Sequence, residues 1–345
     1  MSEVSRERVQ RMLAFQPVDQ VPLEYHPCWR GLYEYGERFR DLVRSLPGDF
    51  EDFSNYPTPV LTPDLLDEHG EYHEFRTDEW GVQWEYRIFQ MSGHPHKGPL
   101  EDLANYPAYR MPQPKYQTPQ DFAALQDHVK TVQQSGYCKM GFYGIFERLH
   151  ELCGFENALM EIWEDSPEIH AVADDIVGQF EKEIGALLEA GVDAVQFGDD
   201  FGANQAMLMD PELWRAFFKP RYERLFRPIL DAGKKIFFHS CGYVEPILRD
   251  FADMGVHAIW PQLAAYPMEE FARKLRDYRL ACAIHIDRAG IMTRGKPEDV
   301  RNAVKRAAEA FDITNGGAWF YVEIDNGFPF ENIQALFESI APYRK

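Results

Sequence analysis

Residues 234–242 read KKIFFHSCG, and they join a short apolar strand to a histidine and a cysteine two residues apart. Successive side chains of a strand point to opposite faces, so residues i and i+2 share a face. If the strand geometry continues through Cys241, its thiol and the imidazole of His239 lie on the same side. Nitrogen and sulfur are ligands that zinc favours. The segment therefore predicts a strand that ends in two metal ligands.

Short strand-like runs alternate with longer amphipathic stretches around this segment. The strands are predicted at residues 21–25, 139–143, 193–197, 235–239, 257–261, 280–286 and 318–323, and helices at 171–190, 211–232, 244–254, 267–277 and 297–311. From about residue 136 onward, strand and helix alternate, which is typical of an α/β protein with a parallel sheet. In this size range we predict a TIM (β/α)8 barrel, with an open doubly wound sheet as the alternative.

The first 135 residues are less regular. Residues 57–68 and 94–119 are rich in proline and charge and predict long loops, while residues 79–89 (EWGVQWEYRIF) predict a strand or hairpin near them. Long loops of this kind lie on the surface and often carry function. We expect one domain over residues 1–345, in which residues 1–135 form loops and helices over the mouth of the barrel.

Composition limits the classes of partner. The 345 residues include 36 basic and 56 acidic side chains, and a net charge of −20 repels nucleic acid and anionic membranes. Composition therefore favours a small molecule or a protein as the partner. Five cysteines at irregular spacing argue for reduced thiols and against a disulfide framework. Without a long apolar run or a secretory signal pattern, we expect a cytoplasmic protein.

A barrel would place functional residues where strands lead into the following loops. Alternation along residues 280–287 sends His285 and Asp287 to the inner face. There the carboxylate could fix the imidazole tautomer in a polar dyad, or both groups could be ordinary hydrogen-bonded barrel residues. We keep both interpretations and carry the two residues forward as catalytic candidates.

The same alternation along residues 318–325 sends Glu323 inward, close to the rim. A site formed by His239, Cys241 and Glu323 is then geometrically conceivable, with water or substrate in a fourth position. The alternative for Glu323 is a rim carboxylate paired with a lysine or arginine.

Other candidates also follow predicted strands. Asp199 and Asp200 could bind substrate, cap a helix or lie in a solvated loop, and Gln262 could contact a ligand or hold a loop. Tyr25 and Trp80 could form part of an aromatic pocket wall, although core packing is the ordinary role of a single aromatic side chain.

Four segments in order resemble the uroporphyrinogen decarboxylase superfamily. They are RERVQRMLAFQPVDQVPLEY (6–25), GVDAVQFGDDFGANQAMLMDPELWRAFFKPRYERLF (191–226), KKIFFHSCGYVEPILRDFADMGVHAIWPQ (234–262) and FPFENIQALFESI (328–340). The resemblance implies a TIM barrel. It also implies one of two activities: cofactor-free decarboxylation of tetrapyrrole acetate groups, or zinc-dependent methyl transfer with corrinoid proteins and thiols.

The decarboxylase branch carries a paired-arginine loop after its first strand. Here residues 26–40 (HPCWRGLYEYGERFR) supply Arg30 for one arginine and leave the pair incomplete. One guanidinium makes a poorer clamp for a substrate with many carboxylates. A carboxy-lyase acting on a pyrrolic or aromatic acid, with roles for Arg30, Asp78 and Asp200, remains the alternative.

The methyltransferase branch has a histidine-x-cysteine motif after the corresponding strand, which His239 and Cys241 match. Its third zinc ligand is usually a cysteine before a P-x-E-N segment. In this chain Glu323 would substitute for that cysteine, giving a harder site that still suits zinc. By the same resemblance, Asp200 is a carboxylate on the substrate side of the site.

We therefore predict a zinc-dependent methyltransferase that moves a methyl group between a corrinoid or small methyl donor and a thiol or other acceptor. The predicted catalytic residues are Asp200, His285 and Asp287, the predicted metal ligands are His239, Cys241 and Glu323, and the predicted substrate-binding residues are Tyr25, Arg30, Trp80 and Gln262. Because the chain has no recognisable corrinoid-binding module, a corrinoid would arrive on a partner protein or free. The resemblance also implies a homodimer. A ligand-binding barrel with a decayed site is the non-catalytic alternative.

Overall fold

The computed structural model describes residues 4–26 and 28–345. Ten strands lie within these residues: β1 Leu23–Tyr25, β2 Glu74–Thr77, β3 Gln83–Tyr86, β4 His94–Lys97, β5 Lys139–Tyr143, β6 Ala194–Gly198, β7 Lys235–Ser240, β8 Ala258–Pro261, β9 Ala281–Ile284 and β10 Ala318–Val322. The α-helices in the same ranges are α1 Ser5–Leu13, α2 Trp29–Tyr35, α3 Glu37–Ser45, α4 Pro119–Gln133, α5 Ile145–Cys153, α6 Phe155–Trp163, α7 Pro167–Ala190, α8 Pro211–Phe217, α9 Lys219–Asp231, α10 Leu248–Asp253, α11 Met268–Tyr278, α12 Pro297–Ala310 and α13 Phe330–Ile340.

The chain divides into two compact units. Unit 1 consists of residues 1–60, 129–139 and 256–345, and unit 2 of residues 61–128 and 140–255. The single domain predicted from the sequence stays a prediction.

In unit 1, parallel strands lie side by side in the order β8, β9, β10 and β1. The short strands β9 (ACAI) and β10 (AWFYV) are buried along their whole length, as expected for parallel strands covered on both faces. In the interior, Trp319 Nε1 donates to Glu24 Oε2, and Lys139 Nζ pairs with Glu24 Oε1 at 2.5 Å. This places Trp319 on the inner face, as strand alternation predicts.

In unit 2, β5, β6 and β7 are neighbours, and the parallel register of β6 and β7 sets Gly198 opposite His239. A second sheet pairs β2, β3 and β4 antiparallel. The carboxylate of Asp78 holds the connection between β2 and β3, because it accepts hydrogen bonds from the backbone N–H groups of Trp80 and Val82. The strand or hairpin predicted at residues 79–89 is therefore present as strand β3, which pairs with β2 and β4.

Helix boundaries differ from the sequence prediction mainly where proline occurs. The helix predicted over residues 211–232 is divided at Phe218 into α8 and α9. Pro220 lies in the first turn of α9 and has no N–H to continue the hydrogen bonds of α8, which explains the break. The loop predicted at 94–119 contains strand β4 and a 3-10 turn, Leu103–Ala108.

All seven predicted strands are present, with ends shifted by at most two residues. Parallel strands alternate with helices as expected for the predicted α/β class. Even the 24-residue α7 carries charged side chains along its length. None of the helices in the described ranges is long and apolar enough to span a bilayer.

Candidate metal centre

The imidazole of His239 and the thiol of Cys241 lie on the same side of the chain where β7 ends. His239 Nε2 is 3.3 Å from Cys241 Sγ. Ser240, between them, points the other way and is fully buried, where its hydroxyl accepts a hydrogen bond from the N–H of Phe201. The strand alternation read from the sequence therefore continues through Cys241, as predicted.

Asp200, two residues after β6, joins this pair. Its Oδ1 lies 3.3 Å from His239 Nε2 and accepts a hydrogen bond of 2.8 Å from the backbone N–H of Cys241. One ligand atom from each of Asp200, His239 and Cys241 lies within 4.8 Å of the others. In the described part of the chain, this is the only such group of three or more histidine, cysteine or acidic side chains.

The spacing fits a tetrahedral cation. Bonds of about 2.0 Å to nitrogen or oxygen and about 2.3 Å to sulfur put two ligand atoms roughly 3.3–3.8 Å apart. The separations from His239 Nε2 to Cys241 Sγ and to Asp200 Oδ1, both 3.3 Å, lie at the lower end of this range. One nitrogen, one sulfur and one carboxylate oxygen are also a donor set that zinc accepts. These three residues therefore fit a zinc ion with a fourth position left for water or substrate.

Their neighbours strongly shift the pKa values of His239 and Asp200. Burial disfavours the charge of His239, but its hydrogen bonds to Asp200 and Cys241 and the charges of those groups outweigh burial and raise the pKa of His239 to about 10. Burial acts against the charge of Asp200 as well, yet the hydrogen bonds from His239 and from the Cys241 N–H lower its pKa to about 2. A carboxylate that stays ionised at neutral pH is the form that binds a cation.

The neighbouring Asp199 has a different role. It is fully buried, and its carboxyl group accepts hydrogen bonds of 2.8 Å from the N–H groups of Phe146 and Glu147 at the start of α5. The Tyr222 hydroxyl also donates to it. Burial and the charge of Glu147 raise the pKa of Asp199 to about 8. The helix-capping alternative raised for the acidic residues after β6 thus applies to Asp199.

The loops after β6 and β7 touch through two glycines. A Cβ atom added at Gly242, whose φ is +71°, would lie 2.2 Å from the carbonyl of Gly202, and one added at Gly202 would lie 2.4 Å from the N–H of Tyr243. The same N–H donates a hydrogen bond of 2.7 Å to Ala203. This contact holds the loop that carries Asp200 against the loop that carries Cys241.

Glu323, the predicted third ligand, belongs to unit 1. Its Oε2 lies 3.8 Å from His285 Nε2 and 3.8 Å from Arg288 Nη1. Trp260 Nε1 donates to His285 Nδ1 at 3.2 Å, which leaves Nε2 as the protonated nitrogen of the neutral ring. Glu323 as a metal ligand and His285 as a catalytic residue stay predictions.

Asp287, the other half of the predicted dyad, serves the local backbone. Its side chain accepts hydrogen bonds from the N–H groups of Ala289 and Gly290 and begins the π-helical turn Arg288–Thr293. The carboxylate that faces His285 is therefore that of Glu323, whose position in a separate loop could not be read from residue spacing.

Three predicted substrate-binding residues lie in unit 1. Tyr25 is buried in the core, where its hydroxyl donates to the carbonyl of Leu46 and its ring packs on Phe337. Arg30 pairs with Glu34 at 2.5 Å. Gln262 is exposed just after β8, and its carbonyl accepts from the N–H of Ala265. Tyr25 therefore packs in the core, and the substrate-binding roles of Tyr25, Arg30 and Gln262 stay predictions.

The fourth, Trp80, lines a cavity of about 180 Å³ that lies entirely within unit 2. The cavity walls combine aromatic rings with charged side chains. The lining residues are Trp80, Lys115, Phe142, Tyr143, Gly144, Glu147, Arg148, Glu151, Phe180, Glu183 and Gly198. Most of these residues were not singled out from the sequence, because acidic and aromatic residues inside helices such as α7 give no local signal.

The chain belongs to the uroporphyrinogen decarboxylase (URO-D) family, whose sequence pattern matches residues 99–343. The TIM barrel of that family is the predicted fold class. No curated protein sequence matches the chain. Among solved structures, a methyltransferase from Methanosarcina mazei shares the fold, with a TM-score of 0.66 and 16% identity over 99% of both chains. A B12-independent methionine synthase from a Shewanella species has a TM-score of 0.44 and 11% identity, over 78% of this chain and 72% of its own.

Proposed function

We propose that the protein is a zinc-dependent methyltransferase of the URO-D family. The observation that carries the proposal is the convergence of Asp200, His239 and Cys241 at the ends of two neighbouring strands, with separations that suit a tetrahedral cation. A histidine and a cysteine two residues apart are the zinc ligands of the methyltransferase branch that the sequence resembles. In this proposal Asp200 supplies the third protein ligand.

The chain's own residues prepare this site for a cation. The N–H of Cys241 fixes the orientation of the Asp200 carboxylate, and the contact between Gly202 and Gly242 fixes the distance between the two loops. A bound zinc ion would supply Lewis acidity and hold a coordinating substrate thiol in its thiolate form. The methyl donor would be a corrinoid on a partner protein, free methylcobalamin or a small methylated compound.

Metal analysis and turnover test the proposal together. Protein purified after growth with added zinc is expected to hold close to one zinc per chain, and Cys241→Ala is expected to lose it. Cys153→Ala is the matched control, because Cys153 is fully buried in α5 and burial raises the pKa of its thiol to about 12. Zinc-loaded wild type is also expected to demethylate methylcobalamin in the presence of a thiol.

The alternative is a cofactor-free carboxy-lyase. It requires Arg30 to bind substrate carboxylates, whereas Arg30 Nη2 already lies 2.5 Å from Glu34. If the wild-type protein binds no zinc and releases CO2 from a pyrrolic or aromatic acid, the protein is a carboxy-lyase and the methyltransferase proposal fails. Protein with neither zinc nor turnover would favour a non-catalytic barrel.

A further inference from the structure

Glu183 is a buried carboxylate that faces the cavity in unit 2 without a partner of opposite charge. Its side chain accepts hydrogen bonds from the N–H of Lys115 at 3.1 Å and from Gln179 Nε2 at 3.4 Å, both neutral donors. No basic side chain in the described residues forms an ion pair with it, although it is only 6% exposed. Buried charges are normally paired, because removing a carboxylate from water is costly. A cation in the cavity would supply the missing charge.

The walls around Glu183 are aromatic. Phe180, on the preceding turn of α7, has its ring 5.0 Å from that of Tyr143 and 6.2 Å from that of Trp80. The pKa of Tyr143 is raised well above its usual range by burial and by the charge of Glu183, which lies close to its hydroxyl. Aromatic faces beside a carboxylate are the surroundings that bind ammonium groups carrying methyl substituents.

Two basic residues line the cavity, and both have acidic neighbours. Lys115 Nζ lies 3.5 Å from Glu79 Oε1, and its side chain is 60% exposed. Arg148 stacks on Trp80, with Cζ 4.5 Å from the ring centre, and its Nη1 lies 2.8 Å from Glu151 and 3.3 Å from Asp78. The carboxyl groups of Asp78 and Glu151 therefore both lie against the guanidinium of Arg148. A cavity of 180 Å³ has room for about six water molecules, which is enough for an ammonium ion with a few carbon atoms.

The cavity also borders the candidate metal centre. Phe142 lines it, and the ring of Phe142 lies 6.2 Å from the ring of His239. Gly198 also lines the cavity and lies opposite His239 in the register of β6 and β7. A methyl group held at the Phe142 side would therefore be close to the side chain of His239.

We propose that this cavity binds a small N-methylated ammonium compound, held by Glu183 and the rings of Phe180 and Tyr143, and that this cation is the methyl donor. The donor role rests on the proposed function, whereas the binding itself does not. In the reaction, the C–N bond breaks and its electron pair stays on nitrogen, while the methyl carbon forms a new bond to the sulfur of a thiolate acceptor. The amine is formed without the positive charge that Glu183 binds and takes up a proton when it reaches water.

Isothermal titration with tetramethylammonium chloride, at constant ionic strength kept with sodium chloride, tests the binding. Wild type is expected to show saturable binding with a Kd on the order of 1 mM or lower. Glu183→Gln is expected to weaken binding at least about tenfold. Glu189→Gln, the same change at an exposed position of α7, is the control and should bind as wild type does. Should Glu183→Gln not fold, Phe180→Leu is expected to weaken binding about fivefold by removing one ring.

A neutral isostere separates charge recognition from simple cavity filling. Choline is expected to bind, and 3,3-dimethyl-1-butanol, which has carbon in place of the charged nitrogen, is not. Equal affinities for the two, the same affinity in wild type and Glu183→Gln, or no saturable binding at all would overturn the inference.

Cys241→Ala distinguishes this inference from the proposed function. Because Cys241 does not line the cavity, the variant should bind tetramethylammonium as wild type does. If wild type holds zinc and demethylates methylcobalamin but does not bind tetramethylammonium, the inference is overturned and the proposed function stands. If wild type binds tetramethylammonium but never holds zinc, the cation-binding site stands and the donor role is overturned.

Discussion

Asp199 and Asp200 are consecutive residues with pKa values shifted in opposite directions. Burial raises the pKa of Asp199 to about 8, whereas hydrogen bonds from His239 and the Cys241 N–H lower that of Asp200 to about 2. Asp199 is bound to the start of α5, and Asp200 faces the histidine and the cysteine. One residue therefore stabilises the fold, and the next is available as a ligand.

Two variants identify the carboxylate that binds the metal. Asp200→Asn is expected to weaken zinc binding at least about tenfold, because an amide oxygen is a weaker zinc donor than a carboxylate. Glu323→Gln is expected to leave the affinity close to that of wild type. Competition with a chromophoric chelator measures both. If Glu323→Gln weakens zinc binding and Asp200→Asn does not, Glu323 is the third protein ligand.

Stability is expected to depend on pH through Glu151. Burial raises its pKa to about 7 from a usual value near 4.5, so the folded protein keeps this proton over a range in which the unfolded chain has lost it. The free energy of unfolding therefore falls as pH rises from about 4.5 to about 7 and changes little above that. Ionisation of Glu151 accounts for a loss of up to about 3 kcal/mol.

Urea unfolding at pH 5, 6 and 8 measures this effect. Glu151→Gln cannot ionise, so its advantage over wild type should grow across the range. Glu156→Gln, at an exposed position of α6, should follow the wild-type profile. Parallel profiles for wild type and Glu151→Gln would contradict the assignment.

Gly144→Ala is expected to destabilise the protein by about 1–3 kcal/mol. The added Cβ would lie 2.2 Å from the carbonyl oxygen of Gly198 and 2.5 Å from Asp199 Oδ1, and neither atom can move without disturbing β6 or the start of α5. Gly178→Ala is the control, because no atom lies within 4 Å of its added Cβ and alanine favours the interior of α7. Thermal unfolding should show opposite signs for the two variants.

Asp287→Ala tests whether this residue is catalytic or structural. Its two hydrogen bonds to backbone N–H groups predict a loss of about 1 kcal/mol in unfolding free energy, as for a helix cap. Asp287→Asn keeps an acceptor oxygen and should recover most of that loss. If both variants instead fold normally and abolish methyl transfer while keeping zinc, the catalytic role predicted from the sequence would stand.

The sequence predicted those features that depend on neighbouring residues. The strand KKIFF and the spacing of His239 and Cys241 suffice to place both side chains on one face, because strand alternation is local. The choice between Asp199 and Asp200 was not predictable, since it depends on where α5 begins after a different strand. Glu183 was equally inaccessible, because an acidic residue in a long helix looks the same whether it faces solvent or a cavity.

The contact between Gly202 and Gly242 has a consequence for how this site can change over time. Main-chain atoms, which every substitution preserves, set the spacing of the loops after β6 and β7. A single substitution at position 200 or 241 can therefore change the metal-binding atom there while the backbone of the two loops stays the same, provided that both glycines are kept. Related chains with different ions or none could share this loop geometry unchanged.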